Sequence, residues 1–163
     1  MTILETFKKE LTNESVTTKK MLSLIPADKW QWKPHFKSMN ILRLANHIAE
    51  LPGWIGQVLN HDGLDIGIHP YIPNEFANTS ALLAFYDKLY EKAQIDLSAA
   101  HDIDLEKVWT LRNGNIIFST DTKYNMLRMS FSQVIHHRAQ LGVYLRMLEV
   151  PIPGSYGASA DEE

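Results

Sequence analysis

The stretch from Ser130 to Leu148, SFSQVIHHRAQLGVYLRML, constrains the chain more than any other. Its apolar residues recur at helical spacing, but polar groups share their face. At about 100° per residue from Met126, Gln133 falls about 20° short of that line, His137 about 20° past it and Tyr144 on it. Leu141 and Leu148 lie beside them, followed by Val134, Leu127 and Leu145. Gln133 and His137, at i and i+4, therefore project inward together, one above the other. Burying an amide and an imidazole costs free energy unless each finds a partner. In a helical bundle that partner is a hydrogen-bond network or a metal ion held from facing helices.

The rest of the chain must supply it. At 163 residues, the sequence is sized for one domain (1–163) with a substantial core. A content of 45% hydrophobic and 21% charged residues is that of a globular protein, and a net charge of −3 gives no footprint for nucleic acid. The absence of cysteine excludes disulfides, thiolate metal sites and a cysteine nucleophile, and it fits a reducing compartment. The N-terminal MTILETFKKE lacks the layout of a signal peptide, and no apolar run of about 18 residues could form a membrane span. A cytoplasmic protein is expected.

Four helices are predicted. The first runs from Thr2 to Ile25, with Thr2 and Glu5 at capping-box spacing and Pro26 as its stop. Leu4, Phe7, Leu11, Thr18, Met21 and Ile25 form its buried stripe. Glu14 shares that stripe and reads as a snorkelling rim residue, although it could also reach a metal. The loop PADKWQWKPHFKS follows, with Trp30 and Trp32 as a lid on one end of the bundle and His35 exposed. The second helix begins near Ser38, and Leu44, Ile48, Leu51, Ile55, Val58 and Leu59 form its apolar arc. His47 sits at the edge of that arc, Glu50 is placed to hydrogen-bond it, and Pro52 should bend the helix.

Residues 61–79 read as a long crossover, with His61 and His69 at the surface, so the second and third helices need not be antiparallel neighbours. The third helix spans about Ser80–Ala100. VWTLRNGNIIFS then gives a β-hairpin turning at Asn113-Gly114. The fourth helix starts near Thr120 or Asp121 and ends before Pro151, leaving residues 151–163 as a surface tail. The expected fold is all-α: a four-helix bundle with a long crossover between helices 2 and 3 and a small hairpin before helix 4.

His47, Gln133 and His137 thus converge from two helices. Two imidazoles and an amide oxygen, with a position left open, suit a borderline divalent ion such as zinc or nickel. A hydrogen-bonded core network is the alternative. The second-helix histidine, the HHRAQ run and the YLRMLEVPIPGSYGASADE ending together resemble the DinB-like (damage-inducible, YfiT-related) superfamily across nearly the whole chain. The resemblance implies a four-helix bundle, often dimeric, that holds a divalent ion between three histidines. Carried over, His47 and His137 are ligands, and Gln133 stands where the remaining family histidine would be. An amide oxygen is a poorer donor than imidazole to zinc or nickel, so the ion should be held less tightly.

Nearby residues have their own expectations. His136 is a candidate proton shuttle or a helix–helix contact, and Glu50 a candidate base. Gln140 could orient His137. Tyr144 and Trp54 read as core. Arg138 lies on the apolar side and needs a buried anion, for which Glu50 or Glu91 is available. Two function classes follow. One is a metal-dependent enzyme for thiol transfer, hydrolysis or isomerisation of a small molecule, where the ion would activate a water or thiol and polarise the electrophile. The other is a non-catalytic binding or assembly module. A homodimer is expected in either case.

Overall fold

In the computed structural model, which describes residues 1–162, four long helices pack around a core and a small sheet closes one end. They are α1 (Ile3–Ser23), α2 (Ile41–Asn60), α3 (Thr79–Ala99) and α4 (Lys123–Met147). Each opens on a Thr or Asn whose side chain accepts a backbone N–H of the first turn: Thr2, Asn40, Asn78 and Thr122. The capping box expected of Thr2 and Glu5 is present. Later boundaries shift by a few residues, because Asn40 rather than Ser38 caps α2 and residues 120–122 belong to a strand. α2 runs through Pro52 as one helix.

Side-chain contacts give the helix directions. Gly53 faces Leu89, Gly56 faces Asp96, and Asn60 Nδ2 donates to Asp96 Oδ1, so α2 and α3 are parallel. Lys8 bonds Ser98 and Lys19 pairs with Asp87, so α1 and α3 are antiparallel. Phe7 stacks on Phe131, Glu14 meets Arg138 and Met21 lies against Gly142, so α1 and α4 are parallel. The long 61–78 connection thus has a topological task. It carries the chain back along the bundle so that α3 can lie beside α2 in the same direction. The two helices are parallel neighbours, which the length of the connection allows.

That connection is not wholly irregular. Residues Gly63–Asp65 form strand β1, which pairs in parallel with β2 (Val108–Asn113); β2 pairs antiparallel with β3 (Ile116–Thr122). The expected hairpin is therefore two-thirds of a three-stranded sheet. A three-residue strand from a Gly-rich segment has too short a pattern to be read by periodicity. Gly63 is needed there, since a Cβ would stand 2.5 Å from the carbonyl oxygen of Thr110. The hairpin turns at Gly114-Asn115, with Gly114 at φ 56°, one residue beyond the expected pair. Trp109, fully buried, roots the sheet in the core, and its Nε1 donates to Gln57 O at 3.4 Å.

The core divides into two apolar clusters. One holds Met21, Leu22, Leu44, Ile48, Leu82, Tyr86, Leu141 and Leu145, with Trp30 and Trp32 packed over it as expected. The other holds Phe7, Leu11, Ile55, Val58, Leu97, Trp109, Leu127 and Phe131. A polar layer lies between them on the α1–α4 side. Arg138, only 2% exposed, places Nη1 2.6 Å from Glu14 Oε2 and donates to Thr18 Oγ1 and Glu14 O, each at 3.2 Å. Its Nη2 donates to the Tyr156 hydroxyl at 3.0 Å, and that hydroxyl donates to Glu14 Oε1 at 2.9 Å. Glu14 Oε2 gains charge attraction but no directed hydrogen bond.

The anion for Arg138 is therefore Glu14, not Glu50 or Glu91. Glu14 is a buried partner rather than a rim residue, because α1 rather than α2 faces this side of α4. Removing one member of such a pair leaves an uncompensated charge in the core. Glu14→Ala should cost about 3–5 kcal/mol in urea unfolding. The double change Glu14→Leu with Arg138→Met should recover most of that loss, because neither charge is then left alone.

Candidate functional site

The buried arc of α4 runs from Met126 and Tyr144 at one edge, through Val134, to Phe131 and Gly142 at the other. Its centre lies about 80° round from Met126, near Val134. Met126 marks an edge of the arc, so Gln133 and His137 sit on the flank turned toward α2 and are half-buried rather than in the core. His136 lies further round and is exposed.

On α2, His47 is half-buried and faces that flank. The rings of His47 and His137 meet edge to face with centroids 4.6 Å apart, and those of His136 and His137 are 4.8 Å apart. α2 and α4 are antiparallel here, since Lys123 Nζ reaches Leu59 O at the far end of the pair.

Hydrogen bonds fix both imidazoles. His47 Nδ1 lies 2.7 Å from Glu50 Oε1, and His137 Nδ1 lies 2.8 Å from Gln140 Oε1. A carboxylate and an amide oxygen only accept, so each Nδ1 carries the proton and donates. Each neutral ring then keeps its lone pair on Nε2, the tautomer that such hydrogen-bond partners impose on metal-ligating histidines. Glu50 and Gln140 take the orienting positions expected of them.

Gln133 lies one turn before His137, half-buried, and its side chain makes no hydrogen bond among the described residues. No group of three His, Cys, Asp or Glu side chains among those residues is placed to hold an ion. The donors available are therefore two imidazoles with free Nε2 lone pairs and an amide whose oxygen is not engaged. That set fits a divalent ion, as a weaker site than three imidazoles.

The other named residues fall where their chemistry puts them. Trp54 is half-buried against Trp109, Tyr144 is buried beside Trp32, and His35, His61 and His69 are exposed. One residue was not anticipated. Tyr71, in the connection between α2 and α3, lines a shallow groove with Glu50, Gly53, Trp54 and Gln57. Its phenol is pushed up to about 12 by burial and then by the Glu50 carboxylate, with Arg43 opposing. The turn-rich sequence around it carries no periodic signal that could have placed it.

His137 has its pKa held below the ordinary histidine value, by partial burial first and then by His47 and His136, while Gln140 pulls the other way. The folded protein thus binds this proton less readily than the unfolded chain. Its stability is full above the unfolded histidine pKa of about 6.5 and falls as pH drops from there toward the lower folded value. In metal-free protein, the melting temperature should fall across this window, and His137→Gln should flatten that part of the profile. An NMR titration placing His137 above free histidine would contradict the assignment.

The model of the DinB family matches residues 2–162. No curated protein matches the sequence. Among solved structures, a DinB-like protein from Bacillus subtilis superposes with a TM-score of 0.71 at 17% identity, covering 97% of this chain and 99% of that one. A DinB-like protein from Bacillus cereus gives 0.66 at 20%, covering 93% and 97%. A mycothiol-dependent maleylpyruvate isomerase gives 0.55 at 14%, covering 87% of this chain and 64% of that one. At these identities the likenesses establish a shared fold.

Proposed function

Because the chain belongs to the DinB family, we propose that it is a divalent-metal-binding protein whose ion, zinc or nickel, is held by His47 and His137 with Gln133 as a weaker third donor. The observation that carries this reading is the pair of imidazoles in edge contact, each with its Nδ1 proton committed and its Nε2 free. A bound ion would supply a Lewis acid to polarise an electrophile or to acidify a water or thiol.

The chain's own residues supply the rest. Glu50 and Gln140 hold the two rings in orientation. His136, exposed and beside His137, is free to take a proton from a small substrate. Glu50 is already engaged with His47, which makes it the second choice as base. The reaction class is thiol transfer, hydrolysis or isomerisation, and the fold's likeness to an isomerase supports a small-molecule substrate. Gln133 favours a second reading, a non-catalytic binding module with a degenerate site. Two copies pair in either case, and sedimentation as a strict monomer at micromolar concentration would refute that part.

Calorimetric titration with zinc and nickel tests the centre. Wild type should take up one ion per chain, His47→Ala and His137→Ala should lose it, and Gln133→His should bind more tightly. A site tightened a hundredfold can add up to about 2.7 kcal/mol of stability at saturating metal. If neither wild type nor Gln133→His gains melting temperature from either metal, the metal reading falls and the binding-module reading leads.

A further inference from the structure

We infer that Arg43 and Lys33 form an anion subsite that anchors the carboxylate of a small organic acid one helical turn from His47. The inference rests on the metal-centre reading only for where such a molecule would react. Its own support is the arginine pairing. The chain has five arginines: Arg43, Arg112, Arg128, Arg138 and Arg146. Arg112 pairs with Asp65, Arg128 with Glu10, Arg138 with Glu14 and Arg146 with Asp161. Arg43 has no carboxylate partner among the described residues, and its guanidinium makes no hydrogen bond there.

Arg43 instead lines a cavity of about 620 Å³ between the 26–40 loop, the start of α2 and residues 72–75 of the connection. Lys33 also lines it, and its Nζ is engaged only with Phe36 O at 3.1 Å. Glu75 is the one acidic residue on the wall, so the lining carries a net positive charge. The backbone at the start of α2 contributes no free donors. Ile41 and Leu42 N–H go to Trp32 O and Trp30 O, and those of Arg43 and Leu44 go to Asn40. The anion must therefore be held by side chains, and a planar guanidinium suits a carboxylate bidentately.

Position supplies the link to the candidate centre. Arg43 and His47 are i and i+4 on one face of α2, about 6 Å apart along the axis. The spacing selects small organic acids, short enough to span about one helical turn.

The test uses butyrate and its uncharged isostere butyramide. Protein is stripped of metal with 1,10-phenanthroline, an uncharged chelator that does not compete for the subsite. Butyrate should shift the amide resonances of Lys33, Arg43, Asn46, Ile72, Asn74 and Glu75, and butyramide should not. Arg43→Gln should weaken butyrate binding about tenfold or more, the worth of a charge-assisted hydrogen bond, with Arg43→Lys recovering part of it. Equal shifts from the two probes, or an unchanged butyrate affinity in Arg43→Gln, would overturn the subsite. Zinc titration of the same samples separates the two claims. Butyrate binding without zinc uptake removes the metal centre and leaves the subsite. Zinc uptake that His137→Ala abolishes, without a butyrate response, removes the subsite alone.

Discussion

A guanidinium that is 2% exposed has to be met by an anion, and most of the structure is arranged around that requirement at Arg138. The desolvation cost of the pair is large, and a well-packed apolar substitute would often be at least as stable. What the pair gives instead is position. Glu14 and Thr18 bring α1 against α4 in a single register, and Tyr156 brings the tail across both. Because successive residues on a helix differ by about 100°, turning Arg138 toward α1 turns His137 away from it and toward α2. The ion pair on one side of α4 thereby sets the aim of the imidazoles on the other.

The same layer explains why the bundle has two apolar clusters. Moving along α1, the buried residues pass from Leu4, Phe7 and Leu11 through Glu14, Ser15 and Thr18 to Met21 and Leu22. α4 passes in step from Leu127 and Phe131 through Arg138 to Leu141 and Leu145. The histidine pair lies at the level of the polar break, since His137 and Arg138 are neighbours on α4.

Much of the architecture was legible in the sequence because it rests on local rules. The four helices, the Thr2–Glu5 capping box and the Trp30–Trp32 lid follow from periodicity and capping chemistry. The roles of Glu50 and Gln140 follow from i+3 spacing to their histidines. What was not legible depends on which helices become neighbours. Arg138 announced the need for an anion but not its address, since nothing local to it says that α1 lies alongside. Met126 lies at an edge of the buried arc of α4, so Gln133 and His137, which share its line, stand half-buried on the flank rather than in the core. β1 and Tyr71 belong to a turn-rich segment whose pairing is decided wholly by distant partners.

The parallel course of α2 and α3 also bears on how fast the chain can reach this structure. An up-and-down bundle closes mainly through neighbouring hairpins, and such local contacts let helical proteins fold quickly. Here α1 finds its partners in α3 and α4, and the Tyr156–Glu14 bond spans 142 positions. Closing loops of that size must precede the contacts that reward it. Contacts of such sequence separation slow folding relative to a bundle closed by neighbouring hairpins.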